Sequence, residues 1–140
     1  MARIIGIDHG SKRVGLAVTD PLGIIATALD TVSEPELFVY LKRYVAAEAV
    51  EGFVVGMPLN LNGTPTDATS AVETFVKHLR KAFPQCWVET VDERFTSSMA
   101  HQTMLASGKG RMARRDKGAL DRISATIILQ GWMEQGRRSK

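Results

Sequence analysis

Arg3-Ile-Ile-Gly-Ile-Asp8-His-Gly10-Ser-Lys-Arg13-Val-Gly15-Leu-Ala-Val18 opens the chain as two short strands joined by a tight turn. Ile4, Ile5 and Ile7 read as a buried strand that ends on a single carboxylate, Asp8. Gly10-Ser11 turns the backbone, and Val14, Leu16 and Val18 then alternate with Gly15 and Ala17 along a second strand. A carboxylate set directly behind an apolar run must be solvated by a metal, by hydrogen bonds or by an open cleft. Gly10 is expected to leave room for a ligand beside Asp8. On this stretch alone, a turn aspartate in a β-hairpin and a chemically active acid are both open readings.

The remainder of the chain supplies the frame. Asp20-Pro21-Leu22-Gly23 signals a turn and Ile24 to Val32 a third strand, so three antiparallel neighbours come first. Ser33-Glu34-Pro35-Glu36 reads as a helix start, with Ser33 as N-cap and Glu36 completing a capping box. Leu37, Leu41, Tyr44 and Val45 then recur at helical spacing. Gly52 to Gly56 is a wholly apolar strand, expected to be covered on both faces. Ala68, Ala71, Val72, Phe75, Val76 and Leu79 trace a helix that ends before Pro84. A strand from Cys86 to Val91 stops at Asp92-Glu93-Arg94, and Thr96, Ser97 and Ser98 offer N-caps for a short helix through about Leu105. A last helix is expected from near Asp116, read as its cap, to near Gln135. Strand–helix alternation after two hairpins predicts an α/β fold: a five-stranded mixed sheet, three antiparallel strands first, flanked by helices on both faces. Residues 1–136 read as a single domain and 137–140 as a basic tail.

At 140 residues, 44% hydrophobic and 24% charged, the chain has the composition of an ordinary globular domain with a real core. No run approaches the roughly 18 apolar residues of a membrane span. The N-terminus enters a strand at once, so no secretory signal is expected. The lone Cys86 excludes an internal disulfide or a cysteine metal cluster, and a cytoplasmic location is expected. A net charge of +3 points to an anionic partner only where cations cluster. They do so at Lys109, Arg111, Arg114, Arg115 and Lys117, with Asp116 the one intervening acid. This run directly precedes the last helix, and phosphate binding is preferred to a merely solvated loop. Lys12 and Arg13, beside Asp8, are further candidates for a phosphate contact. His78 and His101 read as surface residues, and Met99, Met104, Trp87 and Trp132 as core rather than base-stacking platforms.

Two more acids give Asp8 its meaning. Glu93 follows an apolar strand, and in open α/β sheets ligand sites gather at the carboxyl ends of strands. On a wheel of the last helix, Asp121 falls inside the arc of Leu120, Ile123, Ser124, Ala125, Ile127, Ile128 and Trp132, while Arg122, Thr126 and Gln130 lie opposite. An unpaired carboxylate facing the sheet is costly, so Asp121 must pair with an arginine such as Arg94 or Arg13, or meet a cation. Three acids from distant parts of the chain converge when something positive sits between them. Oxygen ligands of this kind suit Mg²⁺ or Mn²⁺. Such ions activate water and stabilise the leaving oxygen of a phosphodiester.

Four stretches together resemble one family: Gly6-Ile-Asp8-His-Gly10-Ser-Lys12-Arg13-Val-Gly15-Leu-Ala17, Val55-Gly56-Met-Pro58-Leu-Asn60-Leu-Asn-Gly63-Thr64, Asp92-Glu93-Arg94-Phe-Thr96 and Asp121-Arg-Ile-Ser-Ala125-Thr-Ile-Ile-Leu-Gln130. They are similar to the YqgF-type proteins, bacterial Holliday-junction-resolvase-like proteins of the ribonuclease H fold regarded as nucleases for the 5′ end of pre-16S rRNA. The resemblance spans nearly the whole chain. It implies a ribonuclease H-like sheet and active-site acids at Asp8, Glu93 and Asp121, and it favours an rRNA precursor as substrate while leaving branched DNA open. His9 departs from the family, whose members usually carry an apolar or aromatic residue there, and its side chain is expected to face away from the cleft.

The expected function is therefore a metal-dependent nuclease acting on structured nucleic acid in ribosome biogenesis. A Holliday junction resolvase and a non-catalytic RNA-binding assembly factor are the alternatives, and both monomer and homodimer stay open. Nucleotide binding of the sugar-kinase type is set aside, because 140 residues leave no room for a second phosphate-binding lobe.

Overall fold

The opening hairpin closes as the alternation demands. Strand β1 (Arg3–His9) pairs antiparallel with β2 (Arg13–Thr19), with Asp8 opposite Gly15. The computed structural model of the chain describes residues 2–10, 12–58, 64, 66–92 and 117–134, with the side chains of Asp67 and of residues 117–121 outside that description. Strand β3 (Ala26–Ser33) pairs antiparallel with β2 and sets Thr31 opposite Gly15. A single 3₁₀ turn over Glu34–Glu36 leads into α1 (Leu37–Ala47). Strand β4 (Val50–Met57), α2 (Asp67–Ala82), β5 (Trp87–Asp92) and α3 (Lys117–Glu134) complete the described elements. The sheet order is β3-β2-β1-β4-β5, with β1–β4 and β4–β5 parallel, so the expected mixed five-stranded sheet forms.

Period-two alternation sends side chains to two cores. Ile5, Ile7, Val14, Leu16, Phe53 and Val55 face Leu37 and Leu41 of α1 and Val72, Phe75 and Leu79 of α2. Ile4, Ala17, Val54 and Val91 face Ala125, Ile128, Leu129 and Trp132 of α3. Helices therefore cover both faces, and β4 is buried from both sides. No described helix is long and apolar enough to cross a membrane.

The structure differs from the sequence reading at several points. The third strand begins at Ala26, not Ile24. Asp20 Oδ1 accepts from the backbone N–H groups of Ile24 at 2.6 Å and Ile25 at 2.8 Å, which holds both in the turn and out of the ladder. Ser33 makes no side-chain cap, because it ends β3 in extended conformation and a 3₁₀ turn, not α1, follows. The capping box is at α2 instead: Thr66 Oγ1 accepts from Ala68 N at 3.2 Å and Thr69 Oγ1 accepts from Thr66 N at 2.8 Å. Ala68 and Ala71 are exposed and Thr69 is buried on that helix, where its hydroxyl also donates to the Pro58 carbonyl. The proposed helix near Leu105, Asp116, Met99, Met104, His101 and the tail 137–140 lie outside the described residues.

Candidate active site

Asp8 is half-buried at the carboxyl end of the central strand β1. It shares a face with Ile4 and Gly6, which pack beneath α3. A Cβ built on Gly6 would stand 2.8 Å from Leu129 Cβ and 3.0 Å from the Ala125 carbonyl oxygen, so only a glycine lets the helix lie this close. Gly15, directly across from Asp8, is buried and places no side chain beside the carboxylate. Further along the same row, Thr31 accepts a hydrogen bond of 3.2 Å from Arg122 Nη1.

These contacts fix the direction of α3. Arg122 meets the row of Asp8, Ala125 and Leu129 meet Gly6, and Trp132 stacks on Trp87 with ring centroids 5.2 Å apart. Trp87 pairs with Gly52, which pairs with Ile4 near the start of β1. The helix thus runs back along the sheet, and its leading turns stand over the carboxyl end of β1. Position 121 lies one turn before Ala125 on the backbone of α3. That turn is about 6 Å along the helix, and the two residues from Gly6 to Asp8 span about 6.6 Å along the strand. The backbone at position 121 is therefore level with Asp8. Its side chain is not among those described.

The other candidates divide clearly. Arg13 is exposed at the start of β2 and, by alternation with Gly15, on the face of Asp8. Lys12 is exposed in the hairpin turn, where its carbonyl accepts from Glu34 N at 3.2 Å. Lys117 opens α3, and its side chain lies outside the description. Glu93, Lys109, Arg111, Arg114 and Arg115 lie outside the described residues altogether. Among the described residues, no three His, Cys, Asp or Glu side chains form a group able to hold a metal. Asp92, level with Met57, shares a face with Val88 by alternation and so lies on the α1–α2 side.

Two expectations about residues around Asp8 change and one holds. Gly10 does not clear a cleft: a Cβ there would stand 2.5 Å from the Arg13 carbonyl oxygen, which accepts from Gly10 N at 3.0 Å in closing the hairpin. Arg122, expected on the outer side of α3, instead reaches the edge strand; its long side chain spans from the margin of the buried stripe. His9 does face away from Asp8. Its ring stacks on Phe75 at 4.6 Å, and Nε2 lies 3.9 Å from Glu34 Oε1, beyond hydrogen-bond reach. Nε2 is buried without a hydrogen-bond partner. Burial pulls this imidazole below its ordinary range despite the opposing influence of Glu34 and Asp8. Of the three candidate acids, the described side chain on the α3 face is that of Asp8, an oxygen donor of the kind that suits a hard divalent cation better than zinc.

A family model described as "RuvX: Holliday junction resolvase" matches residues 2–135. A Flavobacterium johnsoniae protein named "Putative pre-16S rRNA nuclease" is 47% identical over 137 residues, covering 98% of this chain and 99% of that protein. Among solved structures, T. thermophilus RuvC in complex with a Holliday junction substrate aligns with a TM-score of 0.55 at 15% identity, over 97% of each chain. Fowlpox virus resolvase with Holliday junction DNA aligns at a TM-score of 0.56 and 13% identity, over 97% of this chain and 99% of that one. At such identities the two structures speak for the fold alone, and that fold is ribonuclease H-like.

Proposed function

The chain belongs to the RuvX Holliday junction resolvase family, and on that premise we propose that it is a metal-dependent nuclease hydrolysing phosphodiester bonds in structured nucleic acid. One observation carries the reading: Asp8, at the carboxyl end of the central strand, faces the leading turns of the helix that bears Asp121. Asp8, Glu93 and Asp121 would together hold Mg²⁺ or Mn²⁺. When bound, such a cation activates water for attack at phosphorus and stabilises the leaving oxygen.

The chain's own side chains orient the substrate. Arg13, on the face of Asp8, binds a phosphate near the scissile bond, and Lys12 a neighbouring one. Lys109, Arg111, Arg114, Arg115 and Lys117 precede or open α3 and bind further phosphates as the strand approaches. Residues 1–136 would form one nuclease domain, with 137–140 as a basic tail. The name of the Flavobacterium relative favours the 5′ end of pre-16S rRNA over branched DNA as the substrate.

The test is to incubate the purified protein with labelled pre-16S 5′ leader and with a four-way DNA junction, each with Mn²⁺ and with chelator. Metal-dependent cleavage of the leader in preference to the junction is expected. Preferential cutting of the junction would make the protein a resolvase. Binding of the leader without cleavage in any divalent metal would make it an assembly factor.

A further inference from the structure

The geometry points to Arg122 as a positioning residue for the metal-holding carboxylates, tying the leading turns of α3 to the edge strand so that position 121 stays level with Asp8. The inference rests on the reading of Asp8 and Asp121 as metal ligands.

Along its length α3 is gripped unevenly. Its far end is held by the stack of Trp132 on Trp87, and its middle by close contact of Ala125 and Leu129 with Gly6. At the row of Asp8 the strand beneath offers Gly15, which has no side chain for the helix to lock against. There, among the described side chains, β3 supplies a lateral hold: Arg122 Nη1 donates to Thr31 Oγ1 at 3.2 Å, two strands from Asp8. The Arg122 carbonyl in turn accepts from Thr126 Oγ1 at 2.8 Å, one turn further on.

A stability role explains this contact poorly. Ordering a long arginine side chain costs entropy, and a hydrogen bond to a half-exposed hydroxyl returns little of it. A positioning role explains it better. Residues 121 and 122 are adjacent on a rigid helix, so a lateral shift at one moves the other. Groups that orient metal ligands from behind typically change metal affinity 10–100-fold when removed. In this molecule the orienting group would act through the helix and not on the carboxylate itself.

The experiment measures Mn²⁺ dissociation constants by calorimetry for wild type, Arg122→Met, Arg122→Lys, Thr31→Val and the Arg122→Met/Thr31→Val double variant. Melting temperatures in chelator are recorded beside them. Weakening of about tenfold or more is expected in Arg122→Met and Thr31→Val. Arg122→Lys keeps a donor that can reach Thr31 and should recover most of the affinity. The double variant should bind no more weakly than Arg122→Met, since both substitutions remove one contact. Affinities within twofold of wild type in both single variants, whatever their melting temperatures, would overturn the inference and leave Arg122 a packing residue. Absence of Mn²⁺ binding by wild type would overturn both the metal site and this inference, and it is told apart because it appears before any substitution is made.

Discussion

Gly6 shows how much one methyl group decides. In Gly6→Ala the added carbon would meet Leu129 Cβ at 2.8 Å and the Ala125 backbone at 3.0 Å, and neither can swing aside. The helix must lift, at a cost of about 1–3 kcal/mol. Because the lifted element carries Asp121, cleavage should fall further than the loss of folded protein explains. Gly10→Val should cost a similar amount through the Arg13 carbonyl at 2.5 Å, yet leave the Mn²⁺ response of the folded fraction intact. Denaturation midpoints read beside single-turnover rates separate the two. His9 makes a second prediction at this scale. Burial lowers its pKa below the ordinary 6.5, so in the window just below that value the unfolded chain binds a proton that the folded chain refuses. The stability that neutral His9 contributes is thus fully present above about pH 6.5 and is lost as pH falls toward the folded pKa. His9→Phe keeps the ring on Phe75 and removes the titration, so its melting temperature should fall less steeply from pH 7 to 5; superimposable profiles would contradict this. Single residues were unevenly legible in the sequence. Asp8 announced itself as an acid behind an apolar run. Arg122 did not, because a helical wheel ranks positions by hydropathy while a long cationic side chain reaches around the edge of the stripe.

Among the elements, the caps give the sharpest contrast between pattern and structure. Ser33-Glu34-Pro35-Glu36 has the composition of a capping box, but Ser33 is claimed by β3 and caps nothing. Thr66 has the weaker signature and is the functioning cap. Thr66→Ala should therefore cost about 1 kcal/mol, while Ser33→Ala should stay within about 0.5 kcal/mol. Paired urea titrations measure both, and an equal cost for the two would contradict the assignment. The β2–β3 turn teaches the same lesson. Ile24 and Ile25 look like the start of a strand, yet a carboxylate that accepts two backbone N–H groups outcompetes the ladder and leaves both isoleucines exposed. Strands whose pattern runs over many residues, such as β1 and β4, match the sequence reading, because burial on a whole face outweighs any one local bond; on α3 the buried stripe includes Leu129, which the wheel leaves out, while Ile123 and Ile127 are half-buried.

For the whole molecule, the two hairpins and the strand–helix alternation that follows leave few topologies, which is why the sheet was legible in outline. The site is harder to read, since Asp8 and Asp121 stand more than a hundred positions apart and only the packing of α3 over Gly6 brings their backbones level. The central claim is that this convergence holds a cation. It is tested most directly by melting wild type and Asp121→Asn with and without Mn²⁺. If the carboxylates face one another, removing one relieves repulsion, so the metal-free variant should be at least as stable as wild type. Wild type should gain stability on adding Mn²⁺, because the ion binds only the folded site, and the variant should gain less. A variant destabilised by about 3–5 kcal/mol with an undiminished Mn²⁺ shift would mean that Asp121 is half of a buried ion pair and that the metal, if bound, is held elsewhere.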